Sequence, residues 1–249
     1  MQNVRWLSFC ISNAVTRSVV HFFPSSANVA APYAAECSLT LFGRDSTRKT
    51  VVLEGARFGQ PDGVRLDDAF PALQEGTSGF FGLEFSISSN QPRTDLQTSG
   101  CILELSSRGH SCRFRPLQLI VPEDVQGRAL TPEPHLHGPA LGIKDSFNTT
   151  SLVLVNGSDA VYNPKVAVRS NSQGEFGKGL SLEPLAAQNV IEIDLGEQFV
   201  ASDETPRECS WGLLRSGGIW LTEPPPLGVA AYLMYRDVVT RRPVSVSCL

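Results

Sequence analysis

The last forty residues, SWGLLRSGGIWLTEPPPLGVAAYLMYRDVVTRRPVSVSCL (Ser210–Leu249), decide the fold. They read as an apolar strand at Trp211-Gly212-Leu213-Leu214 and a proline hook at Glu223-Pro224-Pro225-Pro226. A second strand runs from Val229 to Tyr235, and a short charged turn leads to a final strand at Pro243-Val244-Ser245-Val246. Short apolar runs bounded by Gly and Pro, and rich in β-branched and aromatic side chains, make strands rather than helices.

The same punctuation recurs upstream. Cys37-Ser-Leu-Thr-Leu-Phe42 alternates, with Leu39 and Leu41 on one face, and Thr50-Val-Val-Leu-Glu54 follows it. Gln60-Pro-Asp-Gly63 is a hairpin signal leading into Val64-Arg-Leu-Asp67. Phe70 to Leu73 reads as a short helical turn, Phe80 to Ser86 and Cys101 to Leu105 as strands, and Arg108-Gly-His110 as the turn into Cys112 to Val121. Val4 to Phe23 holds one or two further strands. Beyond the middle of the chain, Ser151-Leu-Val-Leu-Val155 is apolar and ends in the turn Asn156-Gly-Ser-Asp159. Lys165 to Arg169, Gly179 to Glu183 and Asn189 to Leu195 complete the set. In the last of these, Val190, Glu192 and Asp194 fall on one side and Ile191, Ile193 and Leu195 on the other, which implies one buried and one wet face.

Bulk composition agrees with this reading. In 249 residues, 41% are hydrophobic and 18% charged, which makes the chain globular, and 21 Gly and 17 Pro supply many turns. A net charge of −4 gives no general attraction to nucleic acid or to anionic lipid. The N-terminal apolar stretch is broken by Ser8, Ser12 and Asn13, unlike a signal peptide, and no run is long enough for a transmembrane helix. The six cysteines, Cys10, Cys37, Cys101, Cys112, Cys209 and Cys248, show no CxxC pair and no metal spacing. They read as reduced, buried thiols of a cytoplasmic protein. Asn148-Thr-Thr150 and Asn156-Gly-Ser158 match the glycosylation sequon, a triplet common by chance.

Three blocks align between the halves of the chain. Cys37–Leu41 sits over Thr150–Leu154, Phe81-Gly-Leu83 with Ile102–Leu105 over Trp211-Gly-Leu213 with Tyr232–Tyr235, and Arg115–Leu119 over Arg242–Val246. Self-similarity in a fixed order implies a duplicated unit. The expectation is therefore an all-β protein of two tandem antiparallel β-sandwich domains from an internal duplication: residues 1–122, a Pro-rich linker at 123–139, and residues 140–249.

The second half resembles the small soluble transducer family associated with microbial sensory rhodopsins. The residues that carry the resemblance are Thr150 to Ala160, Val166-Ala-Val-Arg169, Leu180 to Gln188, Gly212 to Ile219 and Met234-Tyr-Arg-Asp237, with a fainter image in the first half. It implies a cytoplasmic, non-enzymatic, self-associating β-sandwich. This chain departs from the family in its double length and in the Glu223–Pro226 insert, and no functional residue is carried over.

Candidate chemistry is sparse. His135-Leu-His137, with Glu133, is the one metal-like spacing, but two histidines in a Pro-rich connector are more often solvated. There is no Gly-x-Ser-x-Gly elbow, and neither Gly76-Thr-Ser-Gly79 nor Gly174 to Gly179 ends in the Gly-Lys-Ser/Thr of a phosphate loop. Cys112 lies near His110, where a turn histidine before a buried thiol is the plainer explanation. Asp67-Asp68 and Glu123-Asp124 are turn carboxylates. The remaining signal is aromatic. Trp211, Trp220, Tyr232 and Tyr235 are the candidate binding residues, with Trp220 beside the proline hook the one expected at the surface. These residues predict a non-catalytic binding or assembly protein that self-associates or docks a protein partner, without metal or cofactor. A carbohydrate-binding module is the alternative.

Overall fold

The computed structural model describes residues 2–23, 35–43, 48–53, 62–73, 79–89, 100–119, 148–169, 180–195, 218–221 and 225–248. The first half contains β1 (Gln2–Ser12), β2 (Thr16–Phe23), β3 (Ala35–Phe42), β4 (Lys49–Leu53) and β5 (Val64–Arg65). It continues with α1 (Leu66–Ala69), a 3-10 turn (Pro71–Leu73), β6 (Gly79–Ser89), β7 (Gly100–Ser107), β8 (His110–Phe114) and β9 (Leu117–Leu119). The second half contains β10 (Asn148–Asn156), β11 (Lys165–Arg169), β12 (Leu180–Ser181), β13 (Asn189–Asp194), β14 (Gly218–Leu221), β15 (Val229–Asp237) and β16 (Pro243–Cys248). The all-β expectation holds, with α1 the one α-helix among the described residues.

The strands form four antiparallel sheets. Sheet I has the order β4-β3-β6-β1-β9, sheet II β5-β2-β7-β8, sheet III β13-β10-β15-β16 and sheet IV β12-β11-β14. Strand alternation decides which residues face which layer. In β1, Trp6, Ser8 and Cys10 stand opposite Phe85, Leu83 and Phe81 of β6 and turn towards sheet II. There Phe22 meets Phe85 edge-on at 6.0 Å between ring centroids. The alternate residues Leu7, Phe9 and Ile11, opposite Glu84, Gly82 and Phe80, turn towards sheet III. Sheet III is likewise covered on both faces. Val153, Val155, Ala230, Tyr232 and Met234 join the core of the first half, while Leu152, Leu154, Ala231 and Leu233 build a second core against sheet IV. The layers therefore run II, I, III, IV, and one apolar core is continuous across both halves of the chain.

This arrangement explains where simple alternation misleads. From Thr149 to Asn156 every residue of β10 is buried, because both faces of its sheet are covered. The face of β13 that carries Glu192 and Asp194 is not an open wet face, since β13 lies beside β6 of the first half. The strands on either side of Gln60 to Gly63 take other partners: β4 pairs with β3 in sheet I, and β5 pairs with β2 in sheet II. The strand expected from Val64 to Asp67 stops at Arg65, where α1 begins. The connector at 123–139 and the Trp211–Leu214 strand lie outside the described residues.

The halves share a pairing pattern, though not the one the sequence blocks imply. In the first half β1 pairs with β6 and β9, and β2 with β5 and β7. In the second half β10 pairs with β13 and β15, and β11 with β12 and β14. The correspondence is thus β1 to β10, β2 to β11, β5 to β12, β6 to β13, β7 to β14 and β9 to β15, in chain order. The blocks instead equate β3 with β10, β7 with β15 and β9 with β16. Those strands occupy different sheet positions, so the blocks and the strand pairing align the halves differently.

Gly82 shows how tightly sheet I is packed. Phe42 stands opposite Gly82 and lays its ring over it, at 1% exposure. A Cβ at position 82 would run into that ring. Gly82→Ala is expected to cost about 1–3 kcal/mol through overpacking. The check is a lower urea midpoint at unchanged m-value, and an unchanged midpoint would contradict this packing.

Candidate functional site

Of the aromatic candidates, Tyr232 and Tyr235 lie on opposite faces of β15. Trp211 lies outside the described residues. Trp220 is on strand β14 opposite Ala167. Tyr235 packs, half-buried, against the second core, and burial pushes its phenol pKa up. Tyr232 is fully buried on the opposite face of β15, at 0% exposure. It is therefore no docking residue and no glycan platform, and the expectation that placed it in a binding surface is corrected. Period-2 alternation exposes one of two neighbouring faces only when one face of the sheet is wet, and at Val229–Met234 of β15 both faces are buried.

Tyr232 instead joins the halves. Its hydroxyl donates to the Leu7 carbonyl oxygen at 2.6 Å and accepts from the Leu117 backbone N–H at 2.9 Å. Leu7 and Leu117 are opposed residues of the β1–β9 ladder. A side chain from the second half thus occupies a rung between two strands of the first. Burial raises the phenol pKa far above its ordinary value, so the group stays a neutral donor. Its ring meets Phe9 at 5.3 Å and Phe114 at 5.6 Å, both edge-on, and Phe9 stacks on Phe114 at 5.3 Å. Nearby, the Arg236 guanidinium lies 5.2 Å from the Phe80 ring centroid and pairs with Glu192 at 2.9 Å. Burial raises the pKa of Glu192, against the pull of Arg236 and a hydrogen bond from Ser151.

Two seams continue the junction. The Arg242 Nη1 donates to the Arg108 carbonyl oxygen at 3.2 Å, which ties the β15–β16 turn to the β7–β8 turn. Cys112 of β8 bonds with the Val246 backbone of β16, although burial dominates and raises its thiol pKa. His110, at the start of β8, is exposed while Cys112 two residues on is buried.

Other polar clusters are also internally paired. On the outer face of sheet II, Glu104 Oε2 accepts from Arg113 Nε at 2.7 Å and lies 3.0 Å from His21 Nε2. The turn at Arg108-Gly109 fixes the register that sets Glu104 opposite Arg113, so this pair was legible from the sequence. Glu84 is nearly buried, held by Arg5 through two contacts of 2.8 Å and by Arg48 at 3.6 Å. No group of three or more metal-ligating side chains is placed to hold an ion among the described residues. His135 and His137 lie outside them.

Asn156 organises the loop after β10. Its Nδ2 donates to the carbonyl oxygens of Ala160 at 2.7 Å, Ala186 at 3.0 Å and Leu185 at 3.3 Å. Its Oδ1 accepts from the Ser158 hydroxyl at 2.6 Å and the Ser158 N–H at 3.0 Å.

No family model matches the chain, and no curated protein matches it.

Cys10, Cys37, Cys101, Cys112 and Cys248 are free thiols, and all but Cys248 are buried. Burial pushes Cys37 up to about 12 and Cys248 to about 11, and raises Cys10 and Cys101 further. These thiols stay neutral and poorly nucleophilic at neutral pH. Alkylation of the folded protein at pH 8, followed by peptide mapping, should leave Cys10, Cys37 and Cys101 unmodified until urea is added; rapid native labelling of any of them would overturn this placement. Tyr232→Phe leaves the Leu117 N–H and the Leu7 carbonyl without their partner. It should destabilise the protein by about 1–3 kcal/mol in urea unfolding, whereas a change near zero would mean that the hydroxyl contributes little.

Proposed function

We propose that the protein is a non-catalytic assembly module of tandem β-sandwiches that self-associates through the edge of sheet I. The observation that carries this reading is β4. It ends its sheet and pairs with β3 on one side, and among the described residues no strand pairs with its other side. Lys49, Thr50 and Val52 are exposed, with Val52 at 57%. Such an edge offers backbone donors and acceptors to an added strand, and a second copy supplies one of matching length.

The rest of the structure supports a role without catalysis. Among the described residues, the thiols are held neutral, and Glu84, Glu104 and Glu192 are each matched to an arginine. The free thiols favour a reducing, cytoplasmic setting, and no helix among the described residues is long and apolar enough to cross a membrane. The likeness of the second half to transducer-like sandwiches points the same way. The recurrent six-strand pairing supports a duplicated ancestral unit; an experimental structure in which these six strand pairs failed to superpose would remove that part of the reading.

Light scattering coupled to size exclusion over a concentration series tests the assembly. A dimer or larger species is expected, and Val52→Lys should shift it towards monomer by placing a charge on the edge. A strictly monomeric wild type across the series would end the proposal.

A further inference from the structure

Under the strand correspondence given above, two of the contacts between the halves map onto themselves, while those of β8 with β16 and of β1 with β15 do not. β1 lies near β10, and β6 lies near β13. β1 corresponds to β10, and β6 to β13. A contact in which each element meets its own counterpart is the signature of an isologous, two-fold interface of the kind that joins subunits of a symmetric dimer. Around β1 and β10 the facing residues are apolar, Leu7, Phe9 and Ile11 from sheet I and Val153, Val155 and Tyr232 from sheet III, all within one core, whereas β6 and β13 bring Glu84, Glu192 and Asp194, each paired with an arginine. Gly157 sits so close to the first half that a Cβ there would lie 2.9 Å from Leu7 Cδ1.

We infer that the two halves are bound as obligate partners and act as one cooperative unit, with Tyr232 as the latch that makes β9 depend on the second half. β9 is three residues long and, among the described residues, pairs only with β1. The hydroxyl between Leu7 and Leu117 supplies a link that this short edge strand does not make for itself. Loss of the second half's packing would release β9 and expose the apolar outer face of sheet I at Leu7 and Phe9. By linkage, a ligand of either half would then stabilise both.

Hydrogen exchange of the whole chain, read peptide by peptide against urea, tests this. The slowest amides of β2 and β7 in the first half, and of β10 in the second, should open with the same urea dependence. Tyr232→Phe should speed exchange of all three by a common factor of about tenfold or more, and the Leu117 amide by at least as much. Gly157→Ala, a milder intrusion into the same junction, should move both halves together and covers the case in which Tyr232→Phe does not fold. Separate urea dependences for the two halves, or acceleration confined to the second half in either variant, would overturn the inference.

Discussion

One phenol hydroxyl fixes how the two halves of this chain meet. Tyr232 is buried in a place where water cannot reach, and its oxygen both donates and accepts. A buried tyrosine needs partners for its hydroxyl, and here those partners are backbone groups of two different strands of the first half. That requirement sets the position of β15 relative to β1 and β9 closely. Phe9, Phe114 and Phe80 then fill the space around the ring and the neighbouring guanidinium. Apolar packing gives the junction its strength, and the hydroxyl gives it a register.

The burial of sheet III follows from that junction. A sheet with both faces covered cannot alternate, so β10 is apolar or small and uncharged along its buried length. Charged residues enter only at its rim, where Glu192, Asp194, Arg236 and Arg241 pair with one another. Such half-buried pairs offset desolvation without adding much net stability, and they mark where the covered region ends.

Strand existence was legible in the sequence; strand partnership was not. Cys37–Phe42, Ser151–Val155 and Val229–Tyr235 announce themselves by composition, and the structure has strands at all three. Pairing is set by distant residues, which is why Gln60–Gly63 read as a hairpin although its flanking strands belong to different sheets. Tyr232 failed for the same reason. Nothing local to Val229–Asp237 says that a second sheet covers its outer side, and Leu7 and Leu117, which settle the matter, lie more than a hundred residues away. The Glu104–Arg113 pair was within reach because a two-residue turn fixes its register. The bundle of interactions around Asn156 was half legible: the turn was evident, but the depth of its amide was not.

That depth carries a consequence for the chain's biosynthesis. Asn156-Gly-Ser158 is a sequon on paper, yet its amide nitrogen is sealed inside the molecule and engaged with three carbonyl oxygens. A sugar can be attached there only to an unfolded chain, and once attached it would keep the loop after β10 from closing. Modification at this asparagine and completion of the second half are mutually exclusive events, so the route by which the chain matures is constrained by a single side chain.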